Sequence, residues 1–371
     1  MKIQDPHRIA SRIVFGKAPI DAQLIVTRRC NLSCGYCTEF DDHSAEVPFD
    51  ELIKSIDALH RLDVINITML GGEPLLHSRI ADLVAYAGRK AQVSMTTNAF
   101  LLSPRVIADL NAAGLSNMQV SIDAMESDPS RYVQKTFKSL RPKLQRLAEL
   151  AEFAVHCNLV LCKETIDQFD TIHDELASFA FGVSVNLVHD DNGRVMVEGP
   201  EYIKKWIAHF KSGRAVSFLE KSYGLSLLQG DRPRWRCRSG SRYLYVDEFG
   251  KVQYCSSQRG RLDVPITSYT KEDLRIQGRT KKGCESGCSI FCAFRASQTD
   301  NAPMHALASL AQSALSGSFL NGGQRAPEPG ATPRAIRGRR LTVLPSTVPA
   351  VETPESVSAS ATAVRDSPLL R

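Results

Sequence analysis

Apolar positions in the first half of the chain alternate between two periods. Short runs rich in apolar and β-branched residues occur at 23–27, 64–70, 92–97, 117–122, 157–161 and 182–188, and these predict buried strands. Between them the spacing becomes helical. Phe49, Leu52, Ile53, Ile56 and Leu59 share one face, and similar patterns cover 80–87, 103–114, 140–153 and 166–179. Ser103 and Pro104 read as an N-cap and a first helical residue. Residues 123–138 are polar and predict a loop.

Six strands alternating with helices predict an α/β fold with parallel strands and crossover helices. The expectation is a partial (β/α)6 TIM-like barrel over residues 22–230, after a lead-in at 1–21. In such a barrel the site lies at the C-terminal ends of the strands. Helices at 201–210 and 216–228 follow. The pattern then changes to a β-hairpin, 242–246 and 251–255 with Gly250 in the turn, and a short helix at 271–276. Residues 231–299 therefore read as a small, cysteine-rich second domain. From 300 to 371 the chain is rich in Ala, Pro and Ser. Apart from one weak helix at 304–315, this stretch reads as a disordered tail.

Composition narrows the class. With 43% hydrophobic and 23% charged residues, the chain suits a globular protein with a sizeable core. No apolar run reaches the roughly 20 residues of a membrane span, and residues 1–17 lack the apolar core of a signal peptide. The expected location is cytoplasmic. The formal charge of +6 owes part of its excess to Arg334, Arg337, Arg339 and Arg340. No basic face interleaved with aromatics accompanies it, so no nucleic-acid partner is expected.

The cysteines carry the chemistry. Ten in a chain of this kind argue for metal binding rather than disulfides. Eight fall into two groups: Cys30, Cys34 and Cys37, then Cys237, Cys255, Cys284, Cys288 and Cys292. Three thiolates on one short loop leave a coordination position open, where a closed structural site would use four ligands. Half of a zinc site is the alternative reading. Cys157 and Cys162 stand apart and read as small buried hydrophobes. Their sharper reading is a hydrogen-atom donor, with His156 and Lys163 nearby as candidate substrate contacts.

The spacing Cys30-x3-Cys34-x2-Cys37, with Tyr36 before the last cysteine, resembles the radical S-adenosylmethionine (SAM) superfamily. Gly71-Gly72-Glu73-Pro74, one strand and one helix later, strengthens the likeness. The resemblance implies a [4Fe–4S] cluster on the three cysteines and SAM bound through the open iron. It also implies an adenine contact at Tyr36 and a methionine-ammonium contact at Gly71-Gly72-Glu73. Polar SAM contacts are implied at Asn98, Ser121 and Asp123, with weaker likenesses at Asn158 and 182–185. Cys237 and Cys255, which flank the hairpin, resemble the opening of a SPASM or twitch domain. A full SPASM domain has seven cysteines and this region has five. The implied occupant is therefore one auxiliary [4Fe–4S] cluster held by Cys237, Cys255 and two of Cys284, Cys288 and Cys292, with a zinc ribbon as the alternative.

The function implied is reductive cleavage of SAM to a 5′-deoxyadenosyl radical that abstracts hydrogen from a substrate carbon. A flavodoxin or ferredoxin-like protein would supply the electron. Peptide or protein maturation is the leading class, although about twenty residues before the barrel are too few for a leader-binding domain. Small-molecule biosynthesis on a sugar, cyclitol or hopanoid-type lipid precursor is the alternative, and a zinc or iron–sulfur scaffold is the non-enzymatic one.

Overall fold

The structure, a computed structural model, describes residues 17–315 except Tyr36, Thr38, 127–134 and Ala180. Six parallel strands carry the fold: β1 (Asp21–Thr27), β2 (Asn66–Gly71), β3 (Gln92–Thr97), β4 (Asn117–Ser121), β5 (Ala154–Leu161) and β6 (Gly182–Leu187). Each pairs in parallel with the next. The crossovers run through α1 (Phe49–Arg61), α2 (Ile80–Ala87), α3 (Pro104–Ala112), α4 (Phe137–Leu150) and α5 (Phe169–Glu175). This is the partial α/β barrel expected from the alternation of periods.

Successive strand side chains point to opposite faces, and here the two faces differ sharply. One carries Ala22, Leu24, Val26, Ile67, Met69, Val93, Met95, Met118, Val120, Val183 and Val185, all buried in a core shared with the helices. α1 meets that core with Leu52, Ile56 and Leu59. Its acidic first turn and basic last turn complement the helix dipole. Ser103 caps α3, its hydroxyl accepting from the Val106 N–H at 3.2 Å. The other strand face is polar and surrounds a cavity described below.

Several boundaries differ from the expected ones. α4 begins at Phe137 because Thr136 caps it, its hydroxyl accepting from the Ser139 N–H. β5 begins at Ala154, earlier than expected, because His156 is an inward-facing polar residue that breaks an apolar run. α5 is shorter and ends in a 3₁₀ turn at Leu176–Phe179.

After β6 come α6 (Pro200–Lys211) and α7 (Lys221–Leu228). Gly224 lets α7 lie directly on the buried Trp206 ring: a Cβ there would sit 2.2 Å from the indole. β7 (Tyr243–Val246) and β8 (Lys251–Gln253) form the expected hairpin, and β9 (Val264–Pro265) adds a short strand. β7 also pairs in parallel with β1, from Asp21 with Tyr243 to Leu24 with Val246, so one nine-stranded sheet runs through both cysteine-bearing regions. α8 (Lys271–Arg279) carries a Thr270–Asp273 capping box. α9 (Phe291–Asn301) escaped the periodicity because nearly every face is buried, including Phe291, Ala293, Phe294, Ser297 and Thr299. α10 (Pro303–Leu315) matches the weak helix expected there. The remaining expected tail, from 316 on, lies outside the described residues. Among the described residues, no helix is long and apolar enough to cross a membrane.

Candidate functional site

The loop after β1 carries the first cysteine group and is held at both ends. The Cys30 N–H donates to the Asp41 carbonyl at 2.8 Å, and the Asp41 N–H donates to Arg28 at 2.9 Å. The Cys37 N–H donates to the Cys34 carbonyl at 3.0 Å, which turns the chain so that the thiols share one small space. Cys30, Cys34 and Cys37 line a cavity of about 80 Å³ together with Gly71, Gly72, Asn98, Ser121 and Lys135. Tyr36 lies outside the described residues.

Gly71 and Gly72 press against the cysteine loop itself. The Gly72 N–H donates to the Thr27 carbonyl at 2.9 Å, and the Glu73 N–H donates to the Arg29 carbonyl at the same distance. A Cβ on Gly71 would sit 2.1 Å from the Thr27 oxygen, and one on Gly72 2.4 Å from the Arg28 and Arg29 oxygens. Only glycine lets the two backbones approach so closely.

Glu73 departs from its expected part as an ammonium contact. It is fully buried and does not line the cavity. Its carboxylate accepts from the Thr97 hydroxyl at 2.7 Å, the Asn98 N–H at 2.8 Å and the Leu75 N–H at 3.1 Å. It therefore fixes the end of β3, and Asn98 reaches the cysteine loop. The Asn98 side-chain amide donates to Asn31 Oδ1 at 2.8 Å and lies 3.7 Å from Cys30 Sγ. Asp123 is likewise buried and does not line the cavity; it pairs with Lys135 at 3.0 Å.

Lys135 was hidden in the sequence, because it lies in a polar stretch read as a loop. Nothing in the local sequence sets it apart from Arg131 and Lys138 in the same stretch. Burial pushes all three thiols up, Cys34 to about 11, and the Lys135 ammonium pulls each partly back. Burial alone would lower Lys135, but Asp123, Cys34 and Cys37 outweigh it and raise it. Buried thiols beside one cation suit ligation to a cationic centre, which supplies the missing positive charge. Among the described residues, no three His, Cys, Asp or Glu side chains converge as a single bare ion requires. A four-iron cluster puts each thiolate on a different iron and needs no such convergence.

Cys157 and Cys162 do not join this site. Cys157 is fully buried on the apolar face of β5. Cys162 is buried, its thiol 3.0 Å from the Thr165 hydroxyl. Neither lines the thiol cavity or the barrel cavity, so nothing in the geometry of these two spaces supports either as a hydrogen donor. Lys163 is exposed, whereas His156 faces the barrel interior.

The second cysteine group gathers where β7 and α9 meet β1. Ile25, Tyr243, Tyr245, Cys255, Cys288 and Ile290 pack together, with Cys292 against them. Burial raises all five thiols, and each is further raised by a neighbouring thiol or carboxylate: Cys284 acts on Cys237, and Cys288, Cys292 and Cys237 act on Cys255. Cys292 differs from the rest: it lines the large barrel cavity and hydrogen-bonds with the Tyr243 hydroxyl.

That cavity holds about 530 Å³, within the range of small-molecule sites. Leu70 and Thr96 belong to its wall and to that of the thiol cavity. The two spaces are thus neighbours, and Cys292 stands on the wall of the larger one.

Residues 24–176 match the family model of the radical SAM superfamily. The GTP 3′,8-cyclase of Listeria monocytogenes is 28% identical over 175 residues, covering 44% of this chain and 50% of that protein. That of Mycobacterium sp. (strain KMS) is 35% identical over 122 residues, covering 30% and 35%. The chain spans about half, or less, of the length of these curated relatives. Among solved structures, anSMEcpe with bound AdoMet aligns with a TM-score of 0.51 at 14% identity, covering 81% of this chain and 93% of that one. Streptococcus suis SuiB bound to precursor peptide SuiA aligns at 0.52 and 14%, covering 74% and 71%. At such identities the likeness is one of fold.

Proposed function

We propose that the chain is a radical SAM enzyme that takes a hydrogen atom from a carbon of a substrate held in the barrel cavity. Cys30, Cys34 and Cys37 would hold a [4Fe–4S] cluster, with SAM in the space beside it that Gly71, Gly72, Asn98 and Ser121 line. Once bound and reduced by a flavodoxin or ferredoxin-like donor, that pair supplies a 5′-deoxyadenosyl radical. The chain's own residues orient it and exclude water. Gly71 and Gly72 hold the cysteine loop against β2, Asn98 and Ser121 offer polar groups to the space beside the thiols, and Tyr36 is assigned to the adenine. Glu73 and Asp123 act one step back, by fixing Asn98 and Lys135.

Cys237, Cys255, Cys284 and Cys288 are assigned to one auxiliary cluster of the SPASM or twitch kind, which leaves Cys292 facing the cavity. The observation that carries the reading is the shared wall at Leu70 and Thr96, which joins the thiol cavity to a space large enough for a substrate. Anaerobic reconstitution followed by dithionite and SAM tests it. The expected result is release of methionine and 5′-deoxyadenosine, abolished by Cys34→Ala. Zinc alone in the purified protein, or unchanged cleavage by the variant, would overturn the assignment and favour a scaffold protein.

A further inference from the structure

Parallel barrels ordinarily fill their interior with layers of Val, Ile and Leu. This one does not. Beside apolar wall residues such as Leu70, Val160 and Leu187, the inward positions include Asp21 and Gln23 on β1, Asn66 and Thr68 on β2, Gln92 and Ser94 on β3, and Asn117 and Gln119 on β4. His156 follows on β5, with Ser184 and Asn186 on β6. Strand register places them in cross-strand rows: Asp21 opposite Asn66, Gln23 opposite Thr68, Thr68 opposite Ser94, and Gln119 opposite His156.

Part of this polarity is satisfied within the wall. The Asn66 amide and the Thr68 hydroxyl donate to Asp21 Oδ1 at 2.7 and 2.8 Å, and the Ser94 hydroxyl donates to Asn66 at 2.9 Å. His156 lies between the side-chain oxygens of Asn117 and Gln119, at 3.3 and 3.1 Å. The Tyr243 hydroxyl donates to Gln23 Oε1 at 2.5 Å. Among the described residues, no hydrogen bond reaches the second Asp21 oxygen or the Gln23 amide nitrogen, and a neutral His156 donates to one of Asn117 and Gln119 and accepts from the amide N–H of the other, leaving each amide with polar capacity to spare. These groups face the cavity, where the hydroxyls of a ligand can meet them.

The charge of the wall narrows that ligand. Apart from histidines, the charged side chains of the wall among the described residues are Asp21 and Arg295. Arg295 is already held by the buried Glu220 at 3.1 Å, and Glu220 in turn accepts from the Ser217 hydroxyl at 2.6 Å. A polyphosphate needs several free cations or bidentate arginines. An apolar lipid precursor would leave the amides and Asp21 unmet.

We propose that the substrate is a hydroxyl-rich small molecule without phosphate groups, of the sugar or cyclitol class. It is held by Asp21, Gln23, Asn117 and Gln119, with the reacting carbon towards Leu70 and Thr96. Hydroxyls donate to Asp21 and accept from the amides, so each ring face finds both partners. This rests on the radical SAM reading for its chemistry but concerns binding alone.

The test is saturation-transfer NMR on reconstituted protein with SAM. The probes are myo-inositol, scyllo-inositol, glucose, glucosamine and N-acetylglucosamine, alongside GTP and capped pentapeptides. We expect binding within the first five and none by GTP. Asp21→Asn and Gln119→Leu should each weaken it about tenfold or more, as loss of a hydrogen bond to a polar group does, while SAM binding stays unchanged and circular dichroism shows the fold retained. The proposal is overturned if none of the five binds, if GTP or a peptide binds in their place, or if both well-folded variants retain full affinity. Release of 5′-deoxyadenosine from the same preparation reads the radical chemistry separately, so failure of one idea is distinguishable from failure of the other.

Discussion

Glu73 shows how a single buried carboxylate can organise a site it does not touch. Its three protein donors hold the turn after β3, and Asn98 there reaches the cysteine loop. The arrangement has a cost. Burial pushes Glu73 up to about 7, although the hydrogen bonds from Thr97, Asn98 and Leu75 oppose it. An unfolded glutamate titrates near 4.3, so the folded state holds the proton more tightly. The associated stability is fully present below that pH and is lost as pH rises through 7. Urea unfolding of protein purified without reconstitution should show a decline on the order of 3 kcal/mol across this window. Glu73→Gln should flatten the decline. A variant with the wild-type pH slope would show that another group carries it.

Between elements, α5 and α6 meet through a pair of buried imidazoles. His173 Nε2 and His209 Nδ1 lie 3.3 Å apart, and the rings are edge to face. One nitrogen donates and the other accepts, which requires the accepting ring to be neutral. Burial lowers His173 to about 4 and His209 to about 3, with Arg214 contributing to both. An unfolded histidine titrates near 6.5. The stability of this contact is therefore complete above pH 6.5 and lost as pH falls through 4 and 3. Thermal melts from pH 7 to 4 should show a falling midpoint, and His209→Gln should reduce the fall while lowering the midpoint at pH 7. An equally steep fall in that variant would assign the acid sensitivity elsewhere.

Across the whole molecule, β1 is the element both cysteine groups depend on. Its C-terminal end leads into Cys30, its flank pairs with β7, and Ile25 packs with Cys255 and Cys288. The second group is thus tied to the barrel by a continuous sheet. Within that group, Cys292 lines the barrel cavity whereas Cys237, Cys255, Cys284 and Cys288 do not. Iron analysis after reconstitution should find about eight irons per chain, four for each [4Fe–4S] cluster. Cys288→Ser should reduce this to about four, and Cys292→Ser should keep all eight with an unchanged visible spectrum. Loss of iron in the Cys292 variant would exchange the two assignments.

The barrel, the order of its elements and the position of the cysteine loop were legible in the sequence, because strand and helix periods depend only on local alternation of apolar residues. The triad and Gly71-Gly72 were legible for the same reason: both are short, contiguous and chemically unusual. Lys135, α9 and the polar barrel interior were not. Lys135 looks like any loop lysine until the fold sets it against Asp123 and three thiols. α9 lacks an exposed face and so lacks a stripe. The inward polar residues are spaced two apart on six separate strands, and they read as ordinary strand polarity until register brings them together round one cavity. The sequence by itself determined the spacing and type of the candidate ligands, since Cys30-x3-Cys34-x2-Cys37 and Gly71-Gly72 are each local in the chain. Only the tertiary structure decided what the cavity can hold, because a binding surface is a sum over strands distant in sequence, and nothing local encodes that sum.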